Sequence, residues 1–246
     1  MRLRQPLRAG LGRILQRWGQ IASMFARFNA SAKERLLCDL RTGGITDERV
    51  LGAVACVPRD AFVPSTLKSR AYENIALPIG EQQTISQPMV VAHMAQAVRP
   101  SREEHVLEIG TGSGYGAAVL AQLAADVVSV EIRATLAQRA ARVLQRLGCR
   151  NVRVILGDGS MGWIDLAPYD AIVVTAASPS LPPALLNQLA QDGGRLVAPV
   201  GSIDEQQLVL TRRDGDQFSS RKIGGVRFVP LRGAAGFPLL DPSRRN

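Results

Sequence analysis

The sequence contains few of the residues that build metal centres and disulfide frameworks. Its 246 residues include three cysteines and two histidines. The cysteines are scattered and form no CxxC pair, so we expect neither a metal site nor a disulfide framework. An odd number of separate thiols is typical of a reducing compartment, which predicts a cytoplasmic protein.

Long apolar segments are also missing. No uninterrupted apolar run reaches the roughly 18 residues that a membrane-spanning helix requires, so an integral membrane protein is not expected. Hydrophobic residues nevertheless make up 46% of the chain and charged residues 21%. These values are ordinary for a folded globular protein and exclude a disordered one.

Acidic residues are absent from the start of the chain. Residues 1–30 contain six arginines, with apolar residues between them at three- and four-residue spacing, which predicts a basic amphipathic arm. Its role stays open between a weak contact with an anionic membrane surface, docking against the domain, and an extension from an early start codon. The rest of the chain is nearly neutral, and no nucleic-acid partner is expected.

Apolar strands alternate with amphipathic helices from residue 105 onwards. The predicted strands are His105–Ile109, Val127–Glu131, Val152–Leu156, Tyr169–Thr175 and Arg195–Val200. The predicted helices are Tyr115–Ala124, Ala134–Leu147 and Pro183–Leu189. This alternation predicts an α/β fold with a mostly parallel sheet and helices on both faces. Two later strands, Gln207–Arg212 and Phe218–Leu231, predict an antiparallel hairpin at one edge.

The segment before the sheet has a different character. Residues 31–64 are predicted to be helical and then to turn out into a loop at Val57–Arg59 and Val63–Pro64. Residues 74–88 are predicted to be a shaped loop, because they are rich in Pro, Gly and Gln and lack helical periodicity. We therefore expect a single domain over 31–246. In it, 31–104 form a cap that contributes to a substrate site, and 105–232 form the cofactor-binding sheet and edge hairpin.

A glycine-rich loop joins the first predicted strand to the first predicted helix. Its glycines, Gly110, Gly112 and Gly114, have GxGxG spacing, and Tyr115 stands where a dinucleotide-binding pattern requires glycine. Glu108 precedes the loop by two residues. A carboxylate there repels a pyrophosphate but attracts the cationic amine and sulfonium of S-adenosylmethionine.

Two further acidic positions follow the next two strands. Glu131 ends the second strand, where a carboxylate can accept hydrogen bonds from both ribose hydroxyls. Asp158 and Gly159 follow the third strand. There a carboxylate can accept a hydrogen bond from an adenine amino group, and glycine permits the ligand to approach the backbone closely. Because ligands bind at the carboxyl ends of parallel strands, the set predicts an S-adenosylmethionine site.

The sequence resembles the protein-L-isoaspartate O-methyltransferases over about residues 32–232. The resemblance is carried by Asn74–Gly80, Gln83–Pro88, Val106–Tyr115, Gly157–Gly159, Tyr169–Ala176 and Val226–Leu231. It implies a Rossmann-like, class I S-adenosylmethionine-dependent methyltransferase fold preceded by a helical segment. It also implies methyl transfer to the α-carboxylate of L-isoaspartyl residues in damaged proteins and peptides. The resulting ester leads through a succinimide to repair.

The resemblance also implies roles for individual residues. Ser86 matches the catalytic position. The implied cofactor-binding residues are Thr84, Glu108, Gly110, Gly112, Gly114, Glu131, Asp158 and Gly159, and the implied substrate-binding residues are Pro78, Ile79, Val229 and Pro230. Because a carboxylate is already a nucleophile, we expect Ser86 to orient the substrate, with capping of the following helix as the other interpretation.

Two alternative functions remain open at this stage. One is a related carboxyl O-methyltransferase that acts on an aspartate of a modified peptide or on another carboxylate. The other is a non-catalytic module with a cofactor-binding fold, tethered to a membrane or nucleic acid by the arm.

Overall fold

The computed structural model describes residues 30–237, so nearly all of the predicted arm lies outside the described residues. A helix α1 occupies 30–42, and α2 spans Glu48–Cys56. Asp47 caps α2, since its carboxylate accepts the backbone N–H of Arg49 at 3.0 Å. Two 3-10 turns, Arg59–Phe62 and Ser65–Arg70, follow. The helices predicted at the start of 31–64 are confirmed, whereas Arg59, which was predicted to lie in a loop, begins a 3-10 turn.

The segment predicted to be a shaped loop contains an antiparallel hairpin instead. Strands β1 (Leu77–Gly80) and β2 (Gln83–Ile85) pair with each other. Glu81 and Gln82 connect them with φ values of 54° and 57°, the left-handed conformation that a tight two-residue turn requires. Helix α3 then spans Pro88–Val98. The loop prediction was wrong because both strands are very short and neither turn residue is glycine.

A seven-stranded sheet forms the centre of the fold. Its elements in chain order are β3 (His105–Ile109), α4 (Tyr115–Ala121), β4 (Asp126–Glu131), α5 (Ala134–Arg146), β5 (Val152–Leu156), β6 (Ala171–Val174), α6 (Pro183–Asn187), β7 (Asp192–Gly201), β8 (Gln206–Asp214) and β9 (Gln217–Val226). The spatial order is β5-β4-β3-β6-β7-β8-β9. Neighbours are parallel from β5 to β7, and β8 and β9 continue the sheet antiparallel. The predicted fold class is confirmed.

The two faces of the sheet carry two separate hydrophobic clusters. Val106 and Leu107 are neighbours on β3 but belong to different clusters, because successive side chains of a strand point to opposite faces. Residues of α1–α5 pack on the face of Val106. Leu185 of α6 and Trp163 pack on the face of Leu107. The sheet is thereby buried on both sides, and the ends of its strands are left to form a site.

Candidate functional site

The glycine loop turns sharply between β3 and α4. Gly110 and Gly112 have φ values of 94° and 53°, which glycine adopts without the strain of a side chain. A Cβ on Gly110 would lie 2.4 Å from Thr175 Oγ1, so the loop requires glycine there for space as well. Its backbone can therefore approach a ligand closely at the carboxyl end of the sheet.

Glu108 lies beneath this loop and is only 1% exposed. The Ser129 hydroxyl donates to its Oε2 at 2.5 Å, and a Cβ on Gly116 would lie 2.3 Å from its Oε1. Burial raises the pKa of Glu108 to about 8, and the Glu131 carboxylate adds to the rise, while the bond from Ser129 partly offsets it. A buried carboxylate of this kind is stabilised as an anion when a cation binds beside it.

Glu131 ends β4 and supports the glycine loop directly. Its Oε2 accepts the backbone N–H of Gly112 at 2.8 Å, and its Oε1 accepts that of Arg133 at 3.0 Å. Each carboxylate oxygen has a second lone pair. The side chain is therefore held in one orientation and can still accept hydrogen bonds from a ligand.

The carboxyl ends of β3, β4 and β6 open into a cleft, which we call the main cleft. It contains predicted site residues from five parts of the chain: Thr84, Ser86, Glu108, Gly110, Gly112, Glu131, Gly159, Val229 and Pro230. A second depression, which we call the side groove, lies between the start of α3 and residues 225–229. The two share Thr84, Ser86, Thr175 and Val229. A group bound in one can therefore meet a group bound in the other at Ser86.

The backbone and surroundings of Ser86 leave its hydroxyl available at this junction. The helix α3 that follows is capped by Asn74, whose Oδ1 accepts the N–H of Met89 at 3.0 Å. The carbonyl of Ser86 accepts a bond from Arg59 Nη2 at 3.0 Å. In the described part of the chain, the Ser86 hydroxyl makes no hydrogen bond of its own. These contacts disfavour the capping interpretation of Ser86.

Four predicted site residues lie outside the lining of both depressions. Pro78 is exposed on the hairpin and Ile79 is buried beneath it. Gly114 is the N-cap of α4 with a φ of 90°. Asp158 accepts hydrogen bonds from Ser160 and from the backbone N–H of Ala234. Burial opposes ionisation of Asp158, but these bonds outweigh it and hold its pKa below the usual range.

Residues 229–231 close one side of the main cleft. The N–H of Ala177 donates to Val229 O at 2.8 Å, and the N–H of Leu231 donates to Ala177 O at 2.6 Å. This short parallel pairing adds a wall beyond the end of β6. Phe228 is fixed as well, because its N–H donates to the buried Gln206 side chain. The predicted strand Phe218–Leu231 therefore ends at Val226, and its last residues leave the sheet to reach the site.

A sequence model of the protein-L-isoaspartate(D-aspartate) O-methyltransferase family matches residues 31–236. The chain belongs to this family. A protein-L-isoaspartate O-methyltransferase of Halorhodospira halophila is 53% identical over 200 residues, which are 81% of this chain and 90% of that one. Another, from Methanoculleus marisnigri, is 52% identical over 206 residues, covering 83% and 93%.

Solved structures agree with this assignment. A protein-L-isoaspartate O-methyltransferase structure has 32% identity and a TM-score of 0.76, over 83% of this chain and 67% of that chain. A Plasmodium falciparum structure in complex with S-adenosyl-L-homocysteine has a TM-score of 0.69 at 22% identity, over 80% and 97%. The second similarity supports the fold. The family match also extends past residue 232 and includes the segment that contacts Asp158.

The residues present fit the family's cofactor, S-adenosylmethionine. The glycine loop offers a close approach, and a Cβ on Gly159 would lie 2.7 Å from Ile109 Cγ2, so the cleft floor also requires glycine there. Glu108 supplies a buried carboxyl group that has no paired cation among the described residues. A cationic ligand would stabilise its ionised form. Among residues 30–237, no cluster of metal-ligating side chains is present and no helix is suited to crossing a membrane.

Sequence reasoning missed three residues that shape the site. Thr175 fixes the glycine loop, since its hydroxyl lies 2.7 Å from the carbonyl oxygen of Gly110. Arg133 pairs with Glu81 of the hairpin turn at 3.3 Å and lines the main cleft. Arg59 is buried behind Ser86. Thr175 lay within a quoted motif, but only the fold brings Arg59 and Arg133 to the site.

Proposed function

We propose that the main cleft binds S-adenosylmethionine and that the side groove binds the isoaspartyl side chain of a protein or peptide. The observation that carries this proposal is that both depressions include Ser86 and Thr175. The reaction itself follows from the family. The chain is an S-adenosylmethionine-dependent methyltransferase that acts on isoaspartyl residues in protein repair.

The proposed roles of the residues follow from their positions. When bound, S-adenosylmethionine supplies an electrophilic methyl group on a cationic sulfur. Glu108 stabilises the positive charge, and Glu131 accepts the ribose hydroxyls while it holds Gly112 in place. Thr84 and Gly159 border the same cleft. Together these residues would hold the cofactor in the main cleft.

At the junction, the substrate carboxylate itself is the nucleophile. With S-adenosylmethionine bound, one carboxylate oxygen would form the new bond to the methyl carbon, and the electron pair of the methyl–sulfur bond would remain on sulfur. No general base is required, because the attacking oxygen carries no proton. Ser86 donates a hydrogen bond to the carboxylate, while Val229 and Pro230 provide an apolar wall. Alignment of this kind lowers barriers by about 7–11 kcal/mol in favourable intramolecular cases.

Labelled S-adenosylmethionine tests the proposal on an isoaspartyl peptide and its aspartyl twin of the same sequence. We expect label on the isoaspartyl peptide alone, released as volatile methanol by mild alkali, because methyl esters hydrolyse in base. Alkali-stable label would place the methyl group on another atom. Label confined to one particular modified peptide would favour the related carboxyl methyltransferase over the repair enzyme.

Other expectations from the sequence stay predictions. The family identifies isoaspartyl-containing proteins as the substrates. A weak membrane contact of residues 1–30 and the absence of a nucleic-acid partner are predicted from the charge distribution alone. The cytoplasmic location likewise rests on cysteine usage.

A further inference from the structure

Arg59 is a buried cation in the 3-10 turn after α2, with 0% of its surface exposed. It makes no ion pair within residues 30–237. Its guanidinium carbon lies 5.6 Å from the centre of the Tyr115 ring, and Tyr115 lines the main cleft. Burial lowers the pKa of Arg59 to about 10, so the side chain stays charged at neutral pH.

The guanidinium binds backbone carbonyls from both sides of the β1–β2 hairpin. Nη1 donates to Ala71 O and, at 3.5 Å, to Glu73 O. Nη2 donates to Ile75 O at 2.9 Å and to Ser86 O at 3.0 Å. Ile75 precedes β1 and Ser86 follows β2, so one nitrogen joins the two ends of the hairpin at its base.

A buried charge needs a specific explanation, because replacing one with an apolar side chain of similar volume often leaves a protein equally stable. An apolar residue would fill the space beside Tyr115 but would leave the carbonyls of Ile75 and Ser86 without their donor. Lysine would keep the charge but lacks the rigid planar fork of a guanidinium. The geometry of the hydrogen bonds distinguishes arginine from both.

We infer that Arg59 is a positioning residue, which fixes the backbone of Ser86 and thereby places the Ser86 hydroxyl at the junction of the main cleft and the side groove. This inference rests on the proposed function, because it concerns the orientation of the isoaspartyl carboxylate. Arg59 itself touches neither the reacting atoms nor the open part of the cleft. It acts through the Ser86 carbonyl.

A double-mutant cycle tests the inference with Arg59→Lys, Ser86→Ala and the combined variant in the full chain. Arg59→Lys should lower kcat about tenfold or more, since a misplacement of about 1 Å can cost 100-fold. Its affinity for S-adenosylhomocysteine should stay within about twofold. In the Ser86→Ala background, Arg59→Lys should change kcat by less than about twofold. Arg41→Lys is the matched control, because Arg41 is exposed and pairs with Glu48.

The other outcomes are informative as well. If Arg59→Lys lowers kcat equally in the wild type and in Ser86→Ala, the positioning role is wrong. The same holds if Arg59→Lys lowers kcat and the affinity for S-adenosylhomocysteine by the same factor. If Arg59→Lys does not fold, Arg59→Gln, which keeps a planar donor, replaces it in the cycle. If neither folds while Arg41→Lys does, Arg59 is a folding determinant and the inference is wrong.

The design separates this inference from the proposed function. A folded wild type that binds S-adenosylhomocysteine but labels no isoaspartyl peptide would contradict the proposed function. In that case, backbone amide NMR still tests Arg59. Arg59→Lys should shift the signals of residues 84–87 more than those of the glycine loop, and equal shifts would overturn the positioning role.

Discussion

Asn74 caps the helix that begins after Ser86: its side-chain oxygen accepts the backbone N–H of Met89 at 3.0 Å. Capping and orientation of the substrate are thereby assigned to different side chains. Ser86→Ala should leave stability and cofactor affinity nearly unchanged and lower kcat about 10- to 100-fold, the cost of one hydrogen bond to a charged group. Methyl transfer to an isoaspartyl peptide under saturating conditions measures this.

Asn74→Ala is the matched comparison for that prediction. It should lower the free energy of unfolding by about 1 kcal/mol, as loss of a helix cap does, measured by urea denaturation. If Ser86→Ala kept an unchanged kcat and was itself less stable than the wild type, our assignment of the two roles would be contradicted.

Glu131→Ala should lower affinity for S-adenosylhomocysteine at least about tenfold. The variant loses charge-assisted bonds to the ribose, worth roughly 1.5–3 kcal/mol each before compensation by water. It also frees Gly112, whose N–H binds Glu131. Calorimetry measures the affinity, and Glu131→Gln, which keeps one acceptor oxygen, should lose less. Unchanged affinity in folded Glu131→Ala would remove this residue from the site.

The pKa of Glu108, raised to about 8, predicts that S-adenosylmethionine binds more tightly as pH rises. A cation favours the ionised carboxylate, so below the pKa binding must release one proton. As the pH is lowered below this pKa, the affinity for S-adenosylmethionine should therefore fall by up to about tenfold per pH unit. Glu108→Gln should bind weakly at pH 8 and show little pH dependence. A wild-type affinity that is flat between pH 6 and 8 would contradict the role of Glu108.

The same shift has a consequence for the ligand-free protein. The folded state keeps a proton on Glu108 that the unfolded chain releases near pH 4.5, so stability should decline as pH rises from that value to about 8. Glu108→Gln should decline less over this range, as thermal unfolding at several pH values would measure.

Removal of the basic arm tests the open interpretations of residues 1–30. Because the family match begins at residue 31, a chain starting at Ser31 should fold and keep most of its peptide activity. Binding to anionic vesicles compares the full and shortened chains. Lost binding with retained activity would support a membrane-surface role, whereas loss of cofactor binding would show that the arm belongs to the domain.

The parts of the fold that could be predicted are those in which neighbouring residues carry the signal. The parallel strands are continuous apolar runs, and the glycine loop combines spacing with a preceding acid. The β1–β2 hairpin was missed because its turn, Glu81–Gln82, uses two non-glycine residues in a left-handed conformation. Its orientation depends on contacts with Arg59, Arg133 and Arg139, which sequence patterns do not connect.

Electrostatic details of the site were harder to predict than its location. The sequence places Glu108 before the glycine loop, but only its burial in the fold, with the Glu131 carboxylate nearby, explains its raised pKa. Likewise, the sequence predicts that the Asp158 carboxylate can accept a hydrogen bond from an adenine amino group. Only the fold shows that this carboxylate also accepts the backbone N–H of Ala234, which lies 76 positions later. Burial and long-range partners decide such properties.

The pairing of residues 229–231 with Ala177 also bears on synthesis of the chain. These residues leave the ribosome after all the other walls of the main cleft except their neighbour Arg232. At about 5–20 residues per second, several seconds separate Ala177 from Leu231. The nascent chain therefore carries its glycine loop and Ser86 before it can close the cleft. A translation product that stops before Val229 contains the glycine loop and Ser86, but it lacks the surface against which the substrate must be aligned.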